Sequence, residues 1–214
     1  MRYFLDMNLP IYFCMQFGHP LEKKAEKFVS DKKDNTFLLC DYIFSRNLPG
    51  WLKRQKIILF EFNQKVQESS YQLFSSNNAI ELFHKDKLFT KKLVMLYIRS
   101  QDKKQFIQEI NNIFNFLNKR ISNFIKKYID EVVIPEIEID TKLKSCLSTW
   151  LRNNSDVKTI ASAIQEHRNK KLTIMTADKK DWTKDLLEEV YNNLELSKTY
   201  LSLPKIEYLQ NYSL

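Results

Sequence analysis

Four aspartates stand just past the points where short apolar runs stop. RYFL, Arg2 to Leu5, ends at Asp6, and TFLLC, Thr36 to Cys40, ends at Asp41. LTIMTADKKDW places Asp178 and Asp181 after the run Leu172 to Met175. A fifth, Asp156, opens the apolar-periodic stretch Val157, Ile160, Ala161, Ile164, behind Asn153, Asn154 and Ser155. Taken singly, each has a plain structural account: a turn residue for Asp6, a helix cap or dipole partner for Asp156 and Asp181. Taken together, carboxylates gathered at one rim of a sheet repel one another unless a cation sits among them. Oxygen donors without His or Cys suit Mg²⁺ or Mn²⁺ rather than zinc. His19, His84 and His167 are scattered at no ligand spacing. Cys14, Cys40 and Cys146 form no CxxC pair, a pattern that suits free thiols in a reducing cytosol.

Positioning these acids is the task of the elements around them. Arg2–Leu5, Thr36–Cys40, Leu172–Met175 and Lys205–Leu209 read as strands, and Leu21–Val29, the stretch from Val157 and Lys184–Leu194 as helices. Between Asp41 and Trp150 the pattern is helical. Its clearest case runs Phe106, Ile110, Ile113, Leu117, Ile121, Phe124, Tyr128, in steps of four and three. Val132 to Ile134, before Pro135, reads as the end of that helix. Strands alternate with helices at both ends of the chain, so an α/β fold is expected: a three-layer α/β/α arrangement, with a mostly parallel central sheet and a large helical insertion. In such a sheet, functional groups gather beyond the carboxyl ends of the strands. Whether Asp156 reaches that rim is left open by the sequence.

The composition sets bounds. The 214 residues suffice for one domain with a sizeable core, and 43% hydrophobic with 28% charged is globular. With only Gly18 and Gly50, no GxGxxG, Walker A or GxSxG loop can be written. No apolar run is long enough to span a membrane, and Asp6 breaks the apolar start, so a cytoplasmic protein is expected. Net charge is +8, unevenly placed: Arg46 to Asp130 holds sixteen Lys and Arg against seven acids, the remainder eighteen against nineteen. That surplus is either a solvated lysine face or a surface for a polyanion.

Three stretches together carry a resemblance. YFLDMNLPIY resembles the opening of a PIN domain, whose first strand ends in Asp-x-Asn; SDVKTIASAIQEH resembles its later acid-led helix; LTIMTADKKDW resembles its Thr-x-Asp strand end with a further acid. The resemblance covers Met1 to about Arg46 and about Leu147 to Leu214, leaving residues 47–146 as an insertion in a single domain. It implies an Mg²⁺- or Mn²⁺-dependent nuclease, usually acting on RNA. Asp6, Asp156 and Asp178 would hold metal or metal-bound water, Asp181 would be an auxiliary acid, and Asn8 and Thr176 would orient the cluster. It also admits a toxin with an antitoxin partner, a defence effector or an RNA-processing enzyme, and a homodimer. Two departures stand out. The family's usual second acid is matched by Arg46, so that Asp41, or more distantly Glu61, would have to stand in. If neither does, an inactive scaffold that binds nucleic acid or a protein is the alternative. The other departure is the insertion, whose Lys53, Arg54, Lys56, Lys91, Lys92, Lys103 and Lys104 are candidates for phosphate contact. Haloacid-dehalogenase-type phosphatases need a second Asp two residues after the first, where this chain has Asn8.

Overall fold

Apolar runs four or five residues long and bounded by polar ones become strands buried on both faces, the signature of a parallel sheet covered by helices. In chain order the elements are β1 (Arg2–Leu5), α1 (Asn8–Cys14), α2 (Pro20–Asp31), β2 (Thr36–Cys40), α3 (Leu48–Gln67), α4 (His84–Arg99), α5 (Lys103–Tyr128), β3 (Glu131–Val133), α6 (Thr141–Trp150), α7 (Asn154–Asn169), β4 (Thr173–Thr176), α8 (Lys184–Asn193) and β5 (Lys205–Tyr208). The computed structural model describes residues 1–194 and 202–214. They form two compact units, one of Met1–Leu48 with Ile121–Leu214, the other of Pro49–Arg120.

In the first unit the five strands make one all-parallel sheet, ordered β3-β2-β1-β4-β5, with flanking helices. Tyr3 pairs with Phe37 on one side and Thr173 on the other; Phe4 pairs with Leu38 and Ile174. Tyr3, Phe4, Leu5, Leu38, Leu39 and Ile174 are buried, as are Phe28 of α2 and Ile160 and Ile164 of α7. Phe28 meets Tyr3 edge-on at 5.2 Å between ring centres. Arg2 ties the sheet to α7. Its buried guanidinium pairs with Glu166 at 2.6 Å and Glu131 at 3.0 Å and donates to the Lys170 carbonyl at 3.1 Å.

The strand order corrects one expectation. Glu131–Val133 is the third strand and an edge of the sheet, where the sequence pattern reads the end of a helix. Ile121–Leu214 belongs to the first unit, β3 and α6 included. The chain leaves β3 through Ile134, whose φ of 52° is rare for a β-branched residue.

The second unit is helical, as the periodicity predicts. Ile57, Ile58, Phe62, Leu93, Ile110, Phe114 and Leu117 are buried, and the Phe62, Tyr97 and Phe106 rings meet pairwise at 6.2 to 6.3 Å. Glu61 is wholly buried there. Its carboxylate accepts from the Tyr71 hydroxyl, the Phe74 amide and the Ser76 hydroxyl, holding the loop after α3 with Phe74 at φ 71°. Among the described residues no helix is long and apolar enough to cross a membrane.

Candidate functional site

The chain winds from β1 outward to β2 and β3, then returns to the other side of β1 for β4 and β5. Such a reversal opens a crevice past the carboxyl ends of the two strands at the switch, here β1 and β4. Asp6 follows β1 and Asp178 follows β4.

Asp6 is 5% exposed, and its carboxylate accepts three hydrogen bonds. One oxygen accepts from the Met7 amide at 2.7 Å; the other accepts from Asn8 Nδ2 at 2.7 Å and Thr176 Oγ1 at 2.8 Å. The Thr176 hydroxyl in turn accepts from the Asp178 amide at 2.9 Å. One buried hydroxyl thus links the ends of β1 and β4. Asp178 Oδ1 closes the next turn, accepting from the Lys180 amide at 2.7 Å and the Asp181 amide at 3.1 Å. Trp182 anchors this turn from below. It is buried, its ring lies 6.3 Å from Phe4, and its carbonyl accepts from the Tyr208 hydroxyl at 2.7 Å.

Asp156 arrives from α7. A helix that precedes a parallel strand runs against it, so the start of α7 lies at the carboxyl end of the sheet. The cap of α7 is Asn153, whose side chain accepts from the Ser155 amide at 3.1 Å and donates to Asp156 Oδ2. Asp156 is therefore not the cap.

Electrostatics places the four acids in one field. Burial, opposed by its hydrogen bonds, pushes the Asp6 carboxyl up to about 6, with Asp178 adding to the rise. Burial likewise pushes Asp156 up to about 6, followed by the charges of Asp6, Asp181 and Asp178. Among the described residues none of these four carboxylates has an ion-pair partner. They are all oxygen donors, and the repulsion among them is the kind a divalent cation relieves. Yet among the described residues no group of three or more His, Cys, Asp or Glu is drawn close enough to hold a metal ion. The donors fit Mg²⁺ or Mn²⁺ in kind and in charge; they are not gathered into a chelating set.

The other candidates are held in structural contacts or belong to the second unit. Asp41 Oδ2 accepts from the Glu136 amide at 3.1 Å, fastening the turn after β3 to the end of β2. Arg46, largely exposed, pairs with Glu136 at 3.5 Å, and Lys158 pairs with the same carboxylate at 2.7 Å while lying 4.4 Å from the Tyr42 ring centre. The Lys158 hydrogen bond, foremost among its partners, holds the Glu136 carboxyl below its ordinary range. Glu61 is consumed inside the second unit. There too, Lys53 pairs with Glu81 at 2.7 Å, and Arg54 pairs with Asp86 at 3.0 Å beneath the Phe83 ring. Lys56, Lys91, Lys92, Lys103 and Lys104 are exposed. The sequence reading missed two groups at the rim: Asn153, whose presence at a helix start was already accounted for, and the Glu136–Lys158 pair, hidden because β3 was not recognised.

Comparison with protein-family models, with curated proteins and with solved structures returns no match to this chain, which leaves its parallel sheet and the acids at the switch point as the ground for a functional reading.

Proposed function

We propose that the chain is a metal-dependent nuclease of the PIN type, hydrolysing RNA phosphodiesters at the carboxyl rim between β1 and β4. The observation that carries this reading is the Asp6–Thr176–Asp178 hydrogen-bond chain at the switch point, with Asp156 feeling the charges of Asp6, Asp181 and Asp178 and, among the described residues, no cation paired to any of the four. Asp6, Asp156 and Asp178 would hold Mg²⁺ or Mn²⁺. Asn8 and Thr176 fix the Asp6 carboxylate, Asn153 fixes Asp156, and Asp181 adds negative charge beside Asp156. When bound, the cation supplies Lewis acidity toward water and toward the departing phosphate oxygen. No side-chain nucleophile is required. Lys56, Lys103 and Lys104 supply exposed cations for a phosphate backbone, whose affinity then comes from counterion release.

A second reading is supported by a specific observation. Where the resemblance expects a further acid the chain has Arg46, paired with Glu136, and Asp41 is engaged by a backbone amide. A site one carboxylate short would bind nucleic acid or a protein without cleaving. Cleavage of single-stranded RNA in Mn²⁺, with EDTA and Asp6→Asn controls, separates the two. Activity abolished by EDTA and lowered about a hundredfold or more by Asp6→Asn is expected of the nuclease. Cleavage that survives Asp6→Asn belongs to a contaminant, and no cleavage with retained RNA binding selects the scaffold.

A further inference from the structure

The outward side of α4 carries a pattern that the acidic rim does not use. Thr90 and Leu93 are buried, and Asp86 is occupied by Arg54, so these residues mark the inward side. Opposite them Leu88, Met95 and Ile98 are 52%, 48% and 59% exposed. With Lys91 they fall at steps of three, four and three, the spacing of a two-heptad coiled-coil seam. The positions flanking that seam are Lys87, Lys92, Val94 and Arg99, three cations and no acid. Lys87 is held 5.7 Å from the Phe74 ring centre.

We propose that this face docks an acidic amphipathic helix of a protein partner. Its apolar residues would cover Leu88, Met95 and Ile98, and its carboxylates would meet Lys87, Lys91, Lys92 and Arg99. Charge selects this occupant over the others. A second copy of α4 would bring cations against cations in either orientation. A bilayer would have to accept the Lys91 ammonium inside the apolar seam, which a carboxylate on a helix neutralises. A phosphate backbone wants its cations along the line of contact, and here that line is mostly aliphatic. The inference is independent of the reaction proposed for the rim.

The test uses the full chain and a labelled synthetic three-heptad helix with Leu at the seam and Glu at the flanks, read by fluorescence anisotropy. Saturable binding that weakens with salt is expected, and at least about tenfold loss with Leu88→Glu/Met95→Glu or with Lys92→Glu. The same peptide with Lys at the flanks should not bind. All substituted side chains are exposed, and circular dichroism checks that each variant folds as the parent does. Absence of saturable binding overturns the proposal, as does equal binding of the two peptides or of parent and variants. So does loss in these variants of affinity for phosphatidylserine vesicles or single-stranded RNA, with the acidic peptide unaffected.

Discussion

A carboxylate whose proton is held more tightly in the folded chain than in the unfolded one costs stability once it ionises. Asp6 and Asp156 are both raised from 3.8 to about 6, so between those values the folded state binds the extra protons. Their contribution is most favourable below about pH 4 and is lost as pH rises through about 6. Metal-free protein should therefore lose part of its resistance to urea across that window, in a denaturation series at fixed ionic strength. Asp156→Asn, which removes one member of the repelling set, should raise the melting temperature at pH 7 and leave it nearly unchanged at pH 4. Mn²⁺ should raise the melting temperature at pH 7.5 and do little at pH 5, where Asp6 and Asp156 are largely protonated. Thr176→Val has a separate signature. It removes a donor from Asp6 and the acceptor of the Asp178 amide, at a cost of about 1–3 kcal/mol, and moves the pH midpoint upward because that hydrogen bond favours the ionised Asp6. The positions of Asp6 and Asp178 past strand ends were legible in the sequence because strand ends announce themselves, whereas Asn8 and Thr176 were named only through the resemblance. The place of Asp156 was not legible, because a helix start explains an aspartate equally well until the direction of α7 is known.

Among the elements, α3 depends on a group that the charge count treats as surface. Glu61→Ala would leave the Tyr71 and Ser76 hydroxyls and the Phe74 amide without their acceptor. A loss of about 2–4 kcal/mol in chemical denaturation is expected, and Glu61→Gln should recover only part of it. Periodicity made α5 readable from Phe106 to Tyr128, since its apolar rows persist over many turns. The same method had nothing to count in β3, three residues long at a sheet edge with Glu131 and Val132 exposed. Nor did it find α1, which starts two residues after Asp6 and places Pro10 in its first turn, where the missing amide hydrogen is harmless. A turn was the natural reading of Met7-Asn8-Leu9-Pro10.

For the whole molecule, alternation of strand and helix was enough to predict an α/β fold with a parallel sheet, because parallel neighbours require crossovers and crossovers are helices. The order β3-β2-β1-β4-β5 was beyond its reach. The basic surplus predicts that RNA affinity, measured by filter binding from low to physiological salt, will fall steeply, with a log–log slope that counts the phosphates engaged. A shallow slope would remove electrostatics as the source of affinity. The hydroxyl that joins β1 to β4 has one more consequence. Its two ends, Asp6 and Thr176, are 170 positions apart along the chain. A nascent polypeptide emerging from the ribosome would present Asp6 long before the residue that steadies it exists. The tie at the rim is thus withheld until β4 has been made, and chains cut short before Thr176 would leave Asp6 without that donor.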